Sequence, residues 1–241
     1  MKSLTIRGLT KKFYLRESKR ASFFKSLVAM PELLRGTREL TAIKDLSFDL
    51  NEGDVLGILG LNGSGKSTLL RLVGGIYRPT SGSIRIRHDT SLMHLNIGFN
   101  PDLTVAENVF LHGALLGLGK DRLEGSFEDI ISFAGLEAYV DVKLKALSSG
   151  MMTRLGFATT IQADSPILLL DEIFSVGDER FVRKCRKAME ELADGGRTLL
   201  LSSHSREIVS SFCNKALVMD SGSQSFFGSA DEGCEHYVNM L

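Results

Sequence analysis

The stretch at residues 60–68 has the residue types needed to bind a chain of phosphates. It reads Gly60-Leu61-Asn62-Gly63-Ser64-Gly65-Lys66-Ser67-Thr68 and fits the pattern Gly-x-x-x-x-Gly-Lys-[Ser/Thr]. Its glycines let backbone N–H groups turn inward around an anion, because no Cβ stands in the way. Lys66 supplies a positive charge for the outer phosphates, and the Ser67 hydroxyl supplies a ligand for Mg²⁺. We expect this phosphate-binding loop to hold a nucleotide.

Two carboxylates far downstream could hydrolyse that nucleotide. Asp171 ends the apolar run at residues 167–171, and Glu172 follows it. A carboxylate at the end of a buried strand lies at the edge of the sheet where the phosphates bind, so Asp171 can hold Mg²⁺ directly or through water. Glu172 can act as general base on the attacking water. Such a pair alone is typical of a solvated turn, but downstream of a phosphate-binding loop it predicts ATP hydrolysis.

The elements around these residues follow the order of a mostly parallel α/β sheet. An apolar strand at residues 55–59 leads into the loop, and a helix at 66–73 leaves it. Further strands are predicted at 2–7, 83–87, 167–171, 198–202 and 216–220, with a helix at 178–193. A helical block at about 102–163 interrupts them; its first helix opens with a capping box at Thr104 and Glu107, its second covers 127–134 and its third begins just after 148–150. We expect one α/β domain, residues 1–241, with an antiparallel N-terminal β region and a helical subdomain.

Composition excludes several classes of protein. Lys and Arg number 29 and so do Asp and Glu, and this balance argues against a nucleic-acid partner. Three widely spaced cysteines, Cys185, Cys213 and Cys234, indicate a reduced cytosolic protein without a disulfide or zinc framework. There is no signal-peptide pattern and no apolar run long enough to cross a bilayer. If the protein works at a membrane, we expect another subunit to provide the span.

Residues 15–39 interrupt the predicted sheet with a mixture of basic and apolar side chains. Their spacing is nearly helical, which is typical of an amphipathic segment that lies on a membrane or on a partner. An ordinary surface helix packed on the domain explains the pattern equally well. Both interpretations stay open.

The segment Leu147-Ser148-Ser149-Gly150-Met151 resembles the Leu-Ser-Gly-Gly-Gln signature of ATP-binding-cassette (ABC) proteins. Ser149 replaces the first glycine and Met151 the glutamine, but the position between the phosphate-binding loop and the Asp-Glu pair makes the match specific. In that family the motif offers a Ser hydroxyl and helix N-terminal N–H groups to the γ-phosphate held by the other subunit. The resemblance implies a P-loop NTPase fold of the ABC type, with ATP and Mg²⁺ as cofactors. It also implies a head-to-tail dimer with a second copy, enclosing two ATP molecules.

Further residues follow the order of the same family. Ser175-Val176-Gly177-Asp178 stands where the D-loop is expected, and His204 stands where the switch histidine contacts the γ-phosphate. Phe13 or Tyr14 matches the aromatic residue that stacks on adenine; Phe13 aligns better, and a core aromatic is the alternative. The resemblance therefore places Ser148, Ser149, Gly150 and Asp178 at a shared nucleotide site.

Several segments look like the cassettes that export capsular polysaccharide, O-antigen or wall teichoic acid. These are the Ser-Ser-Gly-Met signature, Val176-Gly177-Asp178 with Phe181 and Lys184-Cys185, and residues 98–104 with Glu107-Asn108. The insertion at 15–39 is also similar to that group. Val105-Ala106 departs from the Gly-Arg of many relatives. Because the sequence ends at Leu241, we expect it to lack the carbohydrate-binding domain of some O-antigen exporters. We expect a capsule-type or otherwise tail-less exporter.

The implied partners follow from this resemblance. They are an integral membrane permease and a second copy of the chain, with a lipid-linked polysaccharide handled indirectly. The implied location is peripheral, on the cytoplasmic face of the inner membrane. A regulatory ABC ATPase that signals through a membrane partner without moving cargo is the alternative. The absence of a coiled-coil insertion and of a second phosphate-binding loop argues against DNA-repair and translation-factor cassettes.

His94 marks a departure from the family pattern. ABC cassettes usually have a glutamine at this point, where it touches Mg²⁺ or the attacking water. Spacing back from Gly98-Phe99 puts His94 at the position, with Asn96 as the alternative. A neutral imidazole can accept a hydrogen bond, but it gains a proton near pH 6.5. One hypothesis is thus ATPase activity that falls as His94 protonates; the other is that His94 only packs the loop.

Overall fold

The computed structural model describes residues 1–16, 37–87, 98–171 and 179–241. Within them, an eight-stranded sheet has the order β4-β1-β2-β8-β7-β3-β6-β5. Its strands are β1 (Lys2–Arg16), β2 (Thr37–Asn51), β3 (Val55–Leu59), β4 (Ser81–Ile86), β5 (Ile167–Asp171), β6 (Thr198–Ser203), β7 (Lys215–Asp220) and β8 (Ser223–Ser229). The helices are α1 (Lys66–Val73), α2 (Val105–Leu115), α3 (Lys120–Ala134), α4 (Ser149–Thr160), α5 (Glu179–Asp194), α6 (Arg206–Phe212) and α7 (Ala230–Met240).

The sheet combines a parallel half with an antiparallel half. Strands β7, β3, β6 and β5 pair in parallel, whereas β1 pairs antiparallel with β2 and β4, and β7 with β8. The central strands read as continuous apolar runs because helices cover both of their faces: α1 packs on one face, and α5, α6 and α7 on the other. The predicted P-loop α/β fold, with an antiparallel N-terminal region, is confirmed.

The register of the parallel strands determines which residues meet at one edge. Leu59 at the end of β3 is opposite Ser203, and Ser202 is opposite Asp171 at the end of β5. The ends of β3, β6 and β5 therefore lie side by side at one edge of the sheet. This edge is where the predicted phosphate-binding loop, His204 and the Asp-Glu pair all begin.

Helices α2, α3 and α4 share a separate apolar cluster. The capping box predicted at the start of α2 is present, with Thr104 and Glu107 each accepting from the other's backbone N–H. The second helix is longer than predicted: it begins at Lys120 rather than 127, because the buried Leu123 packs against Gly113 of α2. None of the helices in the described ranges is both long and apolar enough to cross a bilayer.

The N-terminal hairpin is also longer than predicted. β1 continues to Arg16 and β2 starts at Thr37, with these two residues paired, so the residues at 15–16 and 37–39 are strand rather than part of an amphipathic helix. Cross-strand contacts hold this extension, including an ion pair of 2.8 Å between Lys12 Nζ and Glu39 Oε1. The amphipathic interpretation of residues 17–36 stays a prediction, because they lie outside the described residues.

A buried histidine in α2 makes the stability of the folded chain depend on pH. The His112 side chain is 1% exposed, its ring centroid lies 4.8 Å from that of Phe99, and neither ring nitrogen has a hydrogen-bond partner in the described part of the chain. Burial disfavours the charged imidazolium and lowers the pKa of His112 from 6.5 to about 4. The unfolded chain therefore binds a proton between these values that the folded chain does not bind.

We expect the free energy of unfolding to fall by about 2 kcal/mol between pH 7 and pH 5 through His112 alone. The sign follows from the lowered folded-state pKa, because protonation then favours the unfolded chain as the pH falls. Urea unfolding over this range measures the effect. In His112→Phe, which keeps an aromatic ring beside Phe99, this component should vanish. Equal pH dependence in both proteins would contradict the assignment.

Candidate functional site

The phosphate-binding loop turns between β3 and α1 in a conformation that requires glycine. Gly63 and Gly65 have φ values of +82° and +107°, which side chains rarely adopt. A Cβ on Gly65 would also lie 2.6 Å from the carbonyl oxygen of Ala42 in β2. Gly63 is therefore needed for its conformation, and Gly65 for both its conformation and its close packing.

The inside of the loop has the groups that a phosphate chain needs. Lys66 is 5% exposed, and its Nζ donates to the carbonyl oxygens of Gly60 (2.6 Å) and Leu61 (3.1 Å). The buried Ser64 hydroxyl has no hydrogen-bond partner among the described residues. No side chain caps the start of α1 at Gly65. A buried unpaired hydroxyl, an uncapped helix N-terminus and a lysine together fit an anion.

The two predicted metal ligands lie together beside this loop. Ser67, in the first turn of α1, donates from Oγ to Asp171 Oδ1 at the end of β5, over 3.1 Å. A hydroxyl and a carboxylate are hard oxygen donors, and Mg²⁺ commonly uses one or two such protein ligands together with phosphates. The pair fits that ion.

His204 follows β6 at the same edge of the sheet. Its neighbour Ser203 is opposite Leu59, the residue before the loop, and the His204 side chain is exposed. Ser205 caps α6 by accepting from Ile208 N–H. The structure thus brings His204 to the end of the sheet that carries the loop.

The signature segment forms the exposed start of α4. Ser148 is the N-cap, and its Oγ accepts from Met151 N–H over 3.3 Å. The helix begins at Ser149, so Ser149 and Gly150 belong to its first turn rather than preceding it; a capping serine allows this. Ser148 and Ser149 are exposed. This end of the helix is available to a ligand or to another subunit.

Phe13 and Tyr14 have different surroundings on the hairpin. The half-buried Phe13 ring meets Tyr77 edge-on at 5.3 Å, and Lys11 Nζ lies 5.0 Å from its centroid. Tyr14 points to the other face of the strand and is 63% exposed. Of these two rings, Phe13 is the one that described residues hold in place.

Some of the predicted site residues lie outside the described residues: Glu172, His94 and Asp178. Conversely, sequence reasoning missed two residues that contact the site. Ser202 donates to Asp171, and Gly222 N–H donates to the Ser64 carbonyl over 3.0 Å. Ser202 is one of three polar residues in β6, so its residue type alone did not single it out, and nothing local pointed to Gly222.

Sequence comparison finds curated relatives with known names. A teichoic acids export ATP-binding protein, TagH, of Bacillus anthracis is 39% identical over 200 residues, which cover 83% of this chain and 36% of that protein. The O-antigen export system ATP-binding protein RfbB of Klebsiella pneumoniae is 37% identical, with 91% of each chain covered. The ABC transporter protein AbcA of Aeromonas salmonicida is 34% identical over 99% of this chain and 76% of its own length. The chain therefore spans about a third of the length of TagH.

Solved structures have the same fold. The ATP-binding cassette MJ0796, as a dimer bound to ADP and Pi, superposes with a TM-score of 0.74 at 20% identity, over 94% of this chain and 98% of that chain. An ATP-binding subunit of an ABC transporter gives 0.75 at 20% identity, over 98% of each. Residues 43–175, more than half of the chain, match the ABC transporter family profile. This chain belongs to the ABC transporter family.

Proposed function

We propose that the chain is the ATP-hydrolysing subunit of an ABC exporter that drives a lipid-linked polysaccharide across the cytoplasmic membrane. A separate membrane-spanning permease forms the path. The observation that carries this proposal is the similarity to teichoic acid and O-antigen export proteins, up to 39% identical, combined with a loop that fits a phosphate chain. The subunit works as one cassette on the cytoplasmic face of the membrane, with the block at about 102–163 as its permease-facing subdomain.

Each residue of the site has a role in this proposal. The loop N–H groups and Lys66 bind the phosphates, and Ser67 and Asp171 hold Mg²⁺, which neutralises charge on the phosphates when bound. Glu172 takes a proton from the attacking water, and His204 contacts the γ-phosphate. Phe13, held by Tyr77 and Lys11, stacks on adenine. His94 near the attacking water remains part of the proposal as an alternative to simple packing.

A second copy of the chain completes the site. Ser148, Ser149 and Gly150 of one copy face the γ-phosphate bound by the other, and Asp178 lies at the same contact. The exposed, serine-capped start of α4 supports this arrangement, because N–H groups at a helix N-terminus attract anions.

We expect Ser148→Arg to prevent ATP-dependent dimerisation, because it puts bulk and charge at the γ-phosphate. Sedimentation velocity in a Glu172→Gln background, with and without ATP, measures the change. Ser229→Arg is the matched control, since Ser229 caps α7 as Ser148 caps α4 and is also exposed. Only the Ser148 variant should stay monomeric. An ATP-dependent dimer in both variants would refute the placement of α4.

Purification from the native membrane tests the proposed partners. We expect the chain to bring down a multi-span permease together with a lipid-linked glycan. If the chain brings down a permease but cells that lack the chain still export their glycan normally, the transport role would be contradicted.

A further inference from the structure

Ser202 is a buried polar residue near the end of β6. It follows Leu199-Leu200-Leu201 in β6 and is 2% exposed. Burying a hydroxyl in such surroundings costs free energy unless it makes a hydrogen bond. The hydrogen bonds of Ser202 therefore indicate what the residue does.

One hydrogen-bond partner of Ser202 is the carboxylate of Asp171. Ser202 and Asp171 are directly opposite in the pairing of β6 with β5, and Ser202 Oγ donates to Asp171 Oδ1 over 2.5 Å. The same oxygen accepts from Ser67 Oγ over 3.1 Å. One oxygen of the Asp171 carboxylate thus accepts from both Ser67, in the first turn of α1, and Ser202, in β6.

We propose that Ser202 is a positioning residue that fixes the Asp171 carboxylate for Mg²⁺. The Ser67 hydroxyl becomes a metal ligand when the ion binds, so its bond to Asp171 is rearranged, whereas Ser202 lies on β6 and keeps its bond. Without Ser202, Asp171 would rotate about its side-chain bonds and the ion would lose a fixed ligand. This inference rests on the proposed nucleotide site. It adds that β6, which ends just before His204, also orients the metal-binding carboxylate.

The hydroxyl is isolated by comparing Ser202→Thr with Ser202→Val, because threonine and valine have nearly the same shape and differ by that group. Binding of an ATP analogue with an imido bridge between its β- and γ-phosphates is measured against MgCl₂ concentration and in EDTA. We expect Ser202→Val to need about tenfold more Mg²⁺ for half-maximal binding, as removal of an outer-shell partner typically costs. Ser202→Thr should need much less Mg²⁺ than Ser202→Val. Binding in EDTA should be equal in the wild-type chain and in both variants.

Ser203→Ala is the matched control. Ser203 is also buried in β6, but its hydroxyl accepts from Ser205 N–H and so is engaged away from Asp171. The Ser203→Ala variant should have the same Mg²⁺ requirement as the wild-type chain. Equal Mg²⁺ requirements for the Thr and Val variants would overturn the role of Ser202. Analogue binding by the wild-type chain that ignores Mg²⁺ would instead overturn the proposed metal site itself, so the two failures are distinct. Thermal melting of each variant confirms that the chain is folded.

Discussion

The Glu172→Gln chain should bind ATP with near wild-type affinity and hydrolyse it at least about a hundredfold more slowly. Glu172 follows Asp171, the last residue of β5, at the edge where the phosphate-binding loop and His204 also leave the sheet. An amide cannot take the proton of the attacking water, but it has nearly the same shape as the carboxylate. Phosphate release by the assembled complex measures hydrolysis, and equilibrium binding of labelled ATP measures affinity.

The matched control for this prediction is Glu191→Gln on the outer face of α5. Its carboxylate makes a 3.8 Å ion pair with Lys187, and its side chain is 67% exposed. Turnover should not change in this control. Near-normal turnover in Glu172→Gln would show that Glu172 is not the general base.

Lys66→Ala should act at the earlier step and lower the affinity for ATP by about 10- to 100-fold. The ammonium group is buried inside the loop, within 2.6 Å of the Gly60 carbonyl, so a bound phosphate would meet it in a partly desolvated setting. A hydrogen bond to a charged group contributes about 1.5–3 kcal/mol, and each 1.4 kcal/mol of binding free energy changes the affinity about tenfold.

Inorganic tripolyphosphate distinguishes the cause of that loss. It has no base or sugar, so Lys66→Ala should weaken its binding as strongly as that of ATP. Lys187→Ala, which removes an exposed lysine from α5, serves as the control and should bind both ligands normally. Unchanged tripolyphosphate affinity in Lys66→Ala would show that the lysine supports the loop without contacting the phosphates.

Features of the chain that depend on neighbouring residues were predictable from the sequence. The phosphate-binding loop needs glycines, a lysine and a helix start within one short stretch, and α1 begins at Lys66 as predicted. The capping box at Thr104 is likewise a local pattern. The signature serine could be found for the same reason, since an N-cap is defined by the first turn that follows it.

Features that depend on pairing between distant residues were not predictable. The long hairpin was missed because Arg16 and Thr37 are held by partners across the strand rather than by their own neighbours. Ser202 was missed because its contact with Asp171 depends on the register of β5 against β6. The beginning of α3 was missed because Leu123 is buried by packing against Gly113 of α2, a contact between two separate helices.

Deleting the gene in its native host and measuring cell-surface polysaccharide tests the central claim most directly. We expect the polysaccharide to disappear from the surface and its lipid-linked precursor to accumulate inside. The wild-type chain should restore export, and the Glu172→Gln chain, present at the same level, should not. Surface polysaccharide that is unchanged by the deletion, or fully restored by Glu172→Gln, would contradict a role as the ATP-hydrolysing subunit of a polysaccharide exporter.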